Sequence, residues 1–208
     1  MKKYELTDET KKINGRTLHR IVAVQGFGCV RAGDIGGWIE SEENLNHWGN
    51  CWVGGNAQVY DDARVFGNAR VFGNAQVFGN AQVYDNPRVG ENAQVCGTAQ
   101  IYGTATVYGY AQVGGTARVH GIADVCGDAI VGSDEDYIIF KNWWSSGRHF
   151  TWTRSNNKWR VGCFYGTGDQ LIRKAYKDSK QSGREYERIV RYVEEILQAD
   201  NKQVQNNR

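Results

Sequence analysis

From Val53 to Val131 an aliphatic residue returns at every sixth position without a slip, always Val except for Ile101. Four residues after each of the first thirteen stands a small residue, Ala in every repeat but the one holding Pro87. Between them lies a turn whose first residue is Gly in ten of thirteen repeats, from Gly55 to Gly127, usually followed by Asn, Asp or Thr. Those types suit left-handed turn geometry. In Ala57-Gln58-Val59-Tyr60 a period of two points Ala and Val inward and Gln and Tyr outward. Six residues per side and three sides per coil predict an 18-residue triangular coil, stacked at about 4.8 Å by parallel ladders. A core of Val and Ala is too narrow to hold a ligand, so function is expected on faces, corners or ends.

The pattern weakens towards the N-terminus. In His47-Trp48-Gly49-Asn50-Cys51-Trp52 the Gly-Asn turn survives but His stands at the aliphatic place, so residues 35–52 read as a degenerate first coil. Lys3–Thr7 and Thr17–Val24 flank the turn signal Asn14-Gly15 and read as strands that cap one end, since a bare ladder edge invites aggregation. The repeat stops at Gly132, and Ser133-Asp134-Glu135-Asp136 reads as an acidic linker. Beyond it, Tyr137–Lys141, His149–Arg154 and Lys158–Tyr165 read as strands. Thr167 or Asp169 is expected to cap a helix that begins near Gln170 and ends at Gly183. A second apolar stripe, Tyr186, Ile189, Val190, Val193, Ile196 and Leu197, has helical spacing. The fold class is therefore mainly β: an N-terminal β cap (1–34), a β-helix (35–132), a small α+β domain of strands then two helices (133–199) and a polar tail (200–208).

The repeat resembles the hexapeptide-repeat family of left-handed parallel β-helices, whose best-known members are acyltransferases. The wider pattern joins Lys3-Tyr4-Glu5-Leu6-Thr7-Asp8-Glu9-Thr10 and Gly33-Asp34-Ile35-Gly36-Gly37-Trp38-Ile39-Glu40 to the Gly-Asn-Ala repeats. It is similar to hexapeptide-repeat proteins common in phages and prophages, which are transferase-like in fold, and the C-terminal part resembles a small module appended to phage proteins. Fold alone supplies no activity. The acyltransferase resemblance implies a His base at a cleft between trimer subunits, with acetyl-CoA as the cofactor. His120 is the one His inside the thirteen repeats and the alternative catalytic candidate. Its outward place is held by Phe66, Tyr84 and Tyr102 on preceding coils, so it also continues a stacked column, and the primary expectation is no catalytic residue and no cofactor.

Net charge is +2, with 25 basic and 23 acidic side chains. Residues 133–208 carry 14 basic and 10 acidic groups, short of the dense basic stripe of a strong nucleic-acid binder. Five cysteines without a Cys-x-x-Cys pair read as reduced thiols, and no metal-ligand spacing occurs. With no membrane span and no secretory signal, the expected location is the cytoplasm, that of the host cell for a phage-encoded protein.

Two surfaces carry the functional expectation. Phe66, Phe72, Phe78, Tyr84, Tyr102 and Tyr108 point outward and form the candidate oligomer interface, a homotrimer by the resemblance. Trp143, Trp144, Arg148, Arg154, Trp159 and Arg160 form the candidate binding cluster of the C-terminal module, where aromatics and guanidiniums can stack on bases and hold phosphates. Trp152 alternates with Phe150 and reads as core. The leading expectation is a non-enzymatic, phage-type scaffold and binding protein that self-associates and engages a host protein, including as an inhibitor of a host defence system. The alternatives are a CoA-dependent acyltransferase and a nucleotide or single-stranded nucleic-acid binder.

Overall fold

The computed structural model describes residues 2–206, with backbone alone for 201–206. Two compact units are present, Met1–Ile139 with Thr153–Asn156 and Phe140–Trp152 with Asn157–Arg208. In the first, β1 (Tyr4–Ile13) and β2 (Arg16–Ala23) form an antiparallel hairpin, followed by β3 (Ile35–Ile39). Fourteen two-residue strands then run from β4 (Trp52–Val53) to β17 (Ile130–Val131), one every six residues. Asn14 and Gly15 turn the hairpin at φ 49° and 81°, the left-handed pair that a two-residue connection requires.

Each short strand pairs in parallel with the strand 18 residues on, so Gln58 faces Gln76, Arg70 faces Arg88 and Gln82 faces Gln100. The strands fall into three sheets, one per side of the coil, and the hairpin joins one of them through β3. The result is a β-solenoid of 18-residue coils. Its inward column, Ala57, Val59, Ala63, Val65 and their equivalents to Val131, is buried along its length. At about 25 cal/mol per Å² of apolar surface, that column is the main source of stability.

All thirteen corner positions from 55 to 127 have positive φ, including the three that are not Gly: Asp61 (58°), Asp85 (66°) and Glu91 (55°). Each acid reaches one coil on and accepts a backbone N–H, from Gly79 at 2.9 Å, Gly103 at 3.1 Å and Gly109 at 2.9 Å. A charge-assisted bond offsets the roughly 1–2 kcal/mol cost of a left-handed backbone at a residue with a Cβ. The next corner position stacks amides: Asn68 Nδ2 donates to Asn86 Oδ1 at 3.0 Å and Asn74 Nδ2 to Asn92 Oδ1 at 3.1 Å.

Both ends are closed by side chains. At the start, Lys3 Nζ donates to the carbonyls of Cys51 (2.8 Å) and Gly49 (3.4 Å), Tyr4 Oη to Leu45 O (2.6 Å) and Arg20 to Gly55 O (3.0 Å). At the finish, Asp134 Oδ1 accepts the Arg118 N–H (2.6 Å), Ser155 Oγ that of Ile130 (2.7 Å) and Asp136 Oδ2 that of Gly132 (2.8 Å). The acidic stretch after Gly132 is thus a cap, not a linker. Asp134–Asp136 forms a 3₁₀ turn, and Tyr137 enters the solenoid core and donates to Arg118 O at 2.6 Å.

The remaining strands, β18 (Tyr137–Lys141), β19 (His149–Thr153), β20 (Lys158–Val161) and β21 (Phe164–Gly166), form a sheet in chain order. The expected strand Lys158–Tyr165 is broken by Gly162 at φ 57° into the β20–β21 hairpin. Helix α1 (Gly168–Asp178) starts at Thr167, which shares a capping box with Gln170, as expected. It stops at Ser179 rather than Gly183, because Ser179 Oγ caps the next helix by accepting the Ser182 N–H at 3.0 Å. Gly183 lies inside α2 (Lys180–Asn206), where a Cβ would sit 2.3 Å from the Tyr176 ring. Glycine there allows α1 and α2 to meet. The backbone of α2 continues through positions 200–206, where a polar tail was expected.

The corner acids give a direct test. Asp85→Ala keeps the left-handed strain and loses the bond, and should lower stability by about 1 kcal/mol. Asp85→Gly loses the bond but sheds the strain, and should melt closer to the parent. Thermal unfolding followed by circular dichroism ranks the three; Ala equal to or above Gly would refute the account.

Candidate functional site

The solenoid departs from its period once, at a corner of its first coil. Leu45 pairs with Val65, twenty residues on, whereas Trp52 pairs with Arg70, eighteen on, so the intervening corner holds two extra residues. Leu45, fully buried, takes the aliphatic place that the sequence assigned to His47, and Cys51 takes the small place. His47 and Trp48 are therefore displaced into an excursion beside the first coil. The sequence hid this because His47-Trp48-Gly49-Asn50 imitates a repeat shifted by two.

The excursion borders a cavity of about 440 Å³ lined by Glu42, Asn46, His47, Trp48, Arg64 and Phe66, among others. The His47 ring stacks on Tyr4 at 4.3 Å, with 23° between planes. The Lys3 backbone N–H donates to His47 Nδ1 at 3.3 Å, which assigns the ring proton to Nε2, 3.5 Å from Glu42 Oε2. Lys2 Nζ, 2.6 Å from Glu42 Oε1, holds that carboxyl below its ordinary value. Nδ1 is thus engaged by a hydrogen bond, whereas Nε2 is buried without one and faces Glu42 only across that 3.5 Å gap. Beneath them Lys3 Nζ lies 3.1 Å from Cys51 Sγ; burial pushes the ammonium down and the thiol up. Trp48 is 78% exposed at the rim.

Phe66, on the wall of this cavity, begins the column read from the sequence. Its ring stacks on Tyr84 (5.0 Å), Tyr84 on Tyr102 (5.1 Å) and Tyr102 on His120 (5.0 Å). His120 stands exposed at the column's end. Tyr60 and Phe78 stack at 5.2 Å in a second column. Face-to-face stacking half-buries Phe66, Phe78, Tyr84 and Tyr102, and Tyr108 is also half-buried, whereas Phe72 is exposed. Their solvent-facing part is a strip of ring edges.

The C-terminal cluster separates into surface and core. Trp143 is 70% exposed and Arg148 is exposed, while Trp144 is half-buried edge-on to Tyr186 at 4.9 Å. Trp159, 1% exposed, belongs with Trp152 and Phe150 to the interior and offers no ring to a ligand, a correction to its place in the candidate cluster. A small domain needs such rings to bury enough area. Arg160 is half-buried; Arg154, whose Nε donates to Glu135 O at 3.2 Å, falls in the first compact unit. The exposed binding candidates are thus Trp143 and Arg148. Among the described residues no three His, Cys, Asp or Glu side chains come together as a metal site, and no helix is long and apolar enough to cross a membrane.

Residues 57–73, 63–79 and 99–121 match the repeat family described as YdcK Beta solenoid repeat. Over 61 residues the chain is 36% identical to a protein of Escherichia coli (strain K12) described as "Uncharacterized acetyltransferase YdcK". The aligned stretch covers 26% of this chain and 19% of that relative. All the family-matched residues lie in the solenoid, so that match bears on the repeat.

The division of the tryptophans is testable by melting. Trp159→Ala should cost the C-terminal unit about 3–5 kcal/mol, the usual penalty for emptying a buried aromatic site, whereas Trp143→Ala should leave the melt unchanged. Equal effects of the two would contradict the burial described.

Proposed function

We propose that this chain is a non-enzymatic scaffold that self-associates along its solenoid and engages a macromolecular partner through the exposed part of its C-terminal unit. The observation that carries the reading is the Phe66–Tyr84–Tyr102–His120 column: four rings in register across successive coils, offering a continuous strip of aromatic edges. Ordered aromatic strips of this kind favour protein interfaces, because they bury area with little loss of rotamer freedom. A trimer is the assembly to test first, since the resembled transferases pack three prisms side by side. Trp143 and Arg148 supply the exposed aromatic and guanidinium typical of binding anchors. The phage-type resemblance of the N-terminal motifs makes a host protein, including a component of a defence system, the partner class to test, with single-stranded nucleic acid as the contrasting one.

Light scattering should report about three times the 23.4 kDa chain mass, and Tyr84→Glu with Tyr102→Glu should reduce it to one, by placing charges in a dry interface. A monomer at tens of micromolar in the parent chain would overturn the self-association reading.

One observation favours a second reading, acyl transfer from acetyl-CoA: the 36% identity to a protein described as an acetyltransferase. His120 is the base this reading requires, its exposed ring open to a neighbouring subunit. Acetyl-CoA turnover should then fall by about 10²–10⁴-fold in His120→Ala, the usual worth of a general base. Turnover retained in that variant would remove the assignment.

A further inference from the structure

A second cavity, of about 140 Å³, opens on another side of the solenoid. It is lined by Cys29, Trp52, Gly54, Arg70, Phe72 and Arg88, with Val71 at its base. Trp52, Arg70 and Arg88 are successive members of one outward column, held in register by the parallel pairings of Trp52 with Arg70 and of Arg70 with Arg88. Like charges set directly opposite in a ladder repel. Each guanidinium nonetheless lacks a carboxylate among the described residues: Arg70 donates to Cys29 Sγ, and Arg88 lies 5.8 Å from the Phe72 ring centroid.

The room for the cavity comes from two glycines. The outward place after each strand of this side is held by Gly54, Phe72, Gly90, Tyr108 and Cys126 in turn. A Cβ at Gly90 would lie 2.4 Å from the Phe72 ring, so the ring folds over that position and walls the site beside Arg88. On the other side Phe27 meets Trp52 edge-on at 5.5 Å. Phe27 and Val30 exchange both backbone hydrogen bonds, at 3.0 and 2.8 Å, closing a tight turn that presents Cys29 to Arg70.

We propose that this cavity binds a phosphoryl group, with Arg70 and Arg88 as its two cationic walls and the Cys29 thiol at its edge. Two guanidiniums one ladder step apart match a dianion with three terminal oxygens. A carboxylate, with two oxygens and one charge, is satisfied by a single fork. Trp52 and Phe72 supply apolar walls on either side of the two guanidiniums.

Cys29 supplies the readout, and Cys163, also exposed, the internal reference. In alkylation the thiolate sulfur attacks the iodine-bearing carbon; a C–S bond forms, the C–I bond breaks, iodide leaves and the thiol proton passes to solvent. The full chain is treated with iodoacetate or neutral iodoacetamide at constant ionic strength, with and without millimolar pyrophosphate or inorganic phosphate, and each site is followed by peptide mass mapping. Two nearby cations should raise the iodoacetate-to-iodoacetamide rate ratio at Cys29 about fivefold to tenfold over that at Cys163. Pyrophosphate should slow alkylation at Cys29 and not at Cys163. Arg88→Gln should abolish both effects; Gln holds the equivalent strand place at positions 76 and 94, so the fold accepts it. Equal ratios at the two cysteines would overturn the site. An iodoacetate preference without protection by either phosphate would overturn the phosphoryl assignment, as would an Arg88→Gln variant that melts like the parent and keeps both effects.

Discussion

A backbone N–H in one coil must meet a carbonyl in the next, as Gln58 N–H meets Ala75 O at 2.9 Å and Gln76 N–H meets Ala93 O at 2.9 Å. Unmet groups in a buried ladder each cost about 1–3 kcal/mol, so the register is fixed coil after coil. From that register the rest follows. Every side chain has an equivalent directly above and below, and the molecule's surface becomes a set of columns. Where the column residues attract, as with the Asn corners and the stacked rings, the ladder is reinforced. Where they repel, as with Arg70 over Arg88, the conflict stays local, because two fixed backbones hold the charges together.

The period of six was written plainly enough in Val, Ala and Gly to give the coil length, the inward and outward faces, and the ring column ending at His120. What it could not give was the phase of the first coil. Asn46–Asn50 carries two more residues than the corners below it, yet ends in Gly49-Asn50 before Cys51, and Gly-Asn-Cys passes for Gly-Asn-Ala. Pattern matching rewards the local similarity; the structure instead rewards Leu45 with a fully buried place. The excursion, and the cavity it borders, follow from that choice. The side-chain termination of the ladder was equally hidden, since Lys3 read only as part of a capping strand and Asp134 as part of a linker until the groups they satisfy are seen.

In the C-terminal unit, local signals pointed two ways. Thr167 with Gln170 announced a helix start that the structure keeps, whereas Gly183 announced a stop that it does not. A glycine can mark a left-handed cap or a close crossing, and only the position of the Tyr176 ring distinguishes them. The tryptophans posed the same difficulty: Trp143 and Trp159 are the same residue type and opposite in exposure, because Trp143 sits in the turn between β18 and β19 whereas Trp159 sits on β20 with its ring in the interior.

The groups that close the solenoid differ in kind at its two ends. At the first coil the groups named above are donors, Lys3, Tyr4 and Arg20, set on free carbonyls; at the last they are mostly acceptors, Asp134, Asp136 and Ser155, set on free N–H groups, with Tyr137 as a donor to the Arg118 carbonyl. The coil stack is thus a vectorial object, with a beginning and an end that are different chemical reagents. Two copies stripped of these side chains would be complementary only head to tail, and such growth has no geometric stopping point. By occupying both reagents within one chain, the caps act as chain terminators, and a solenoid built like a segment of fibre remains finite in length.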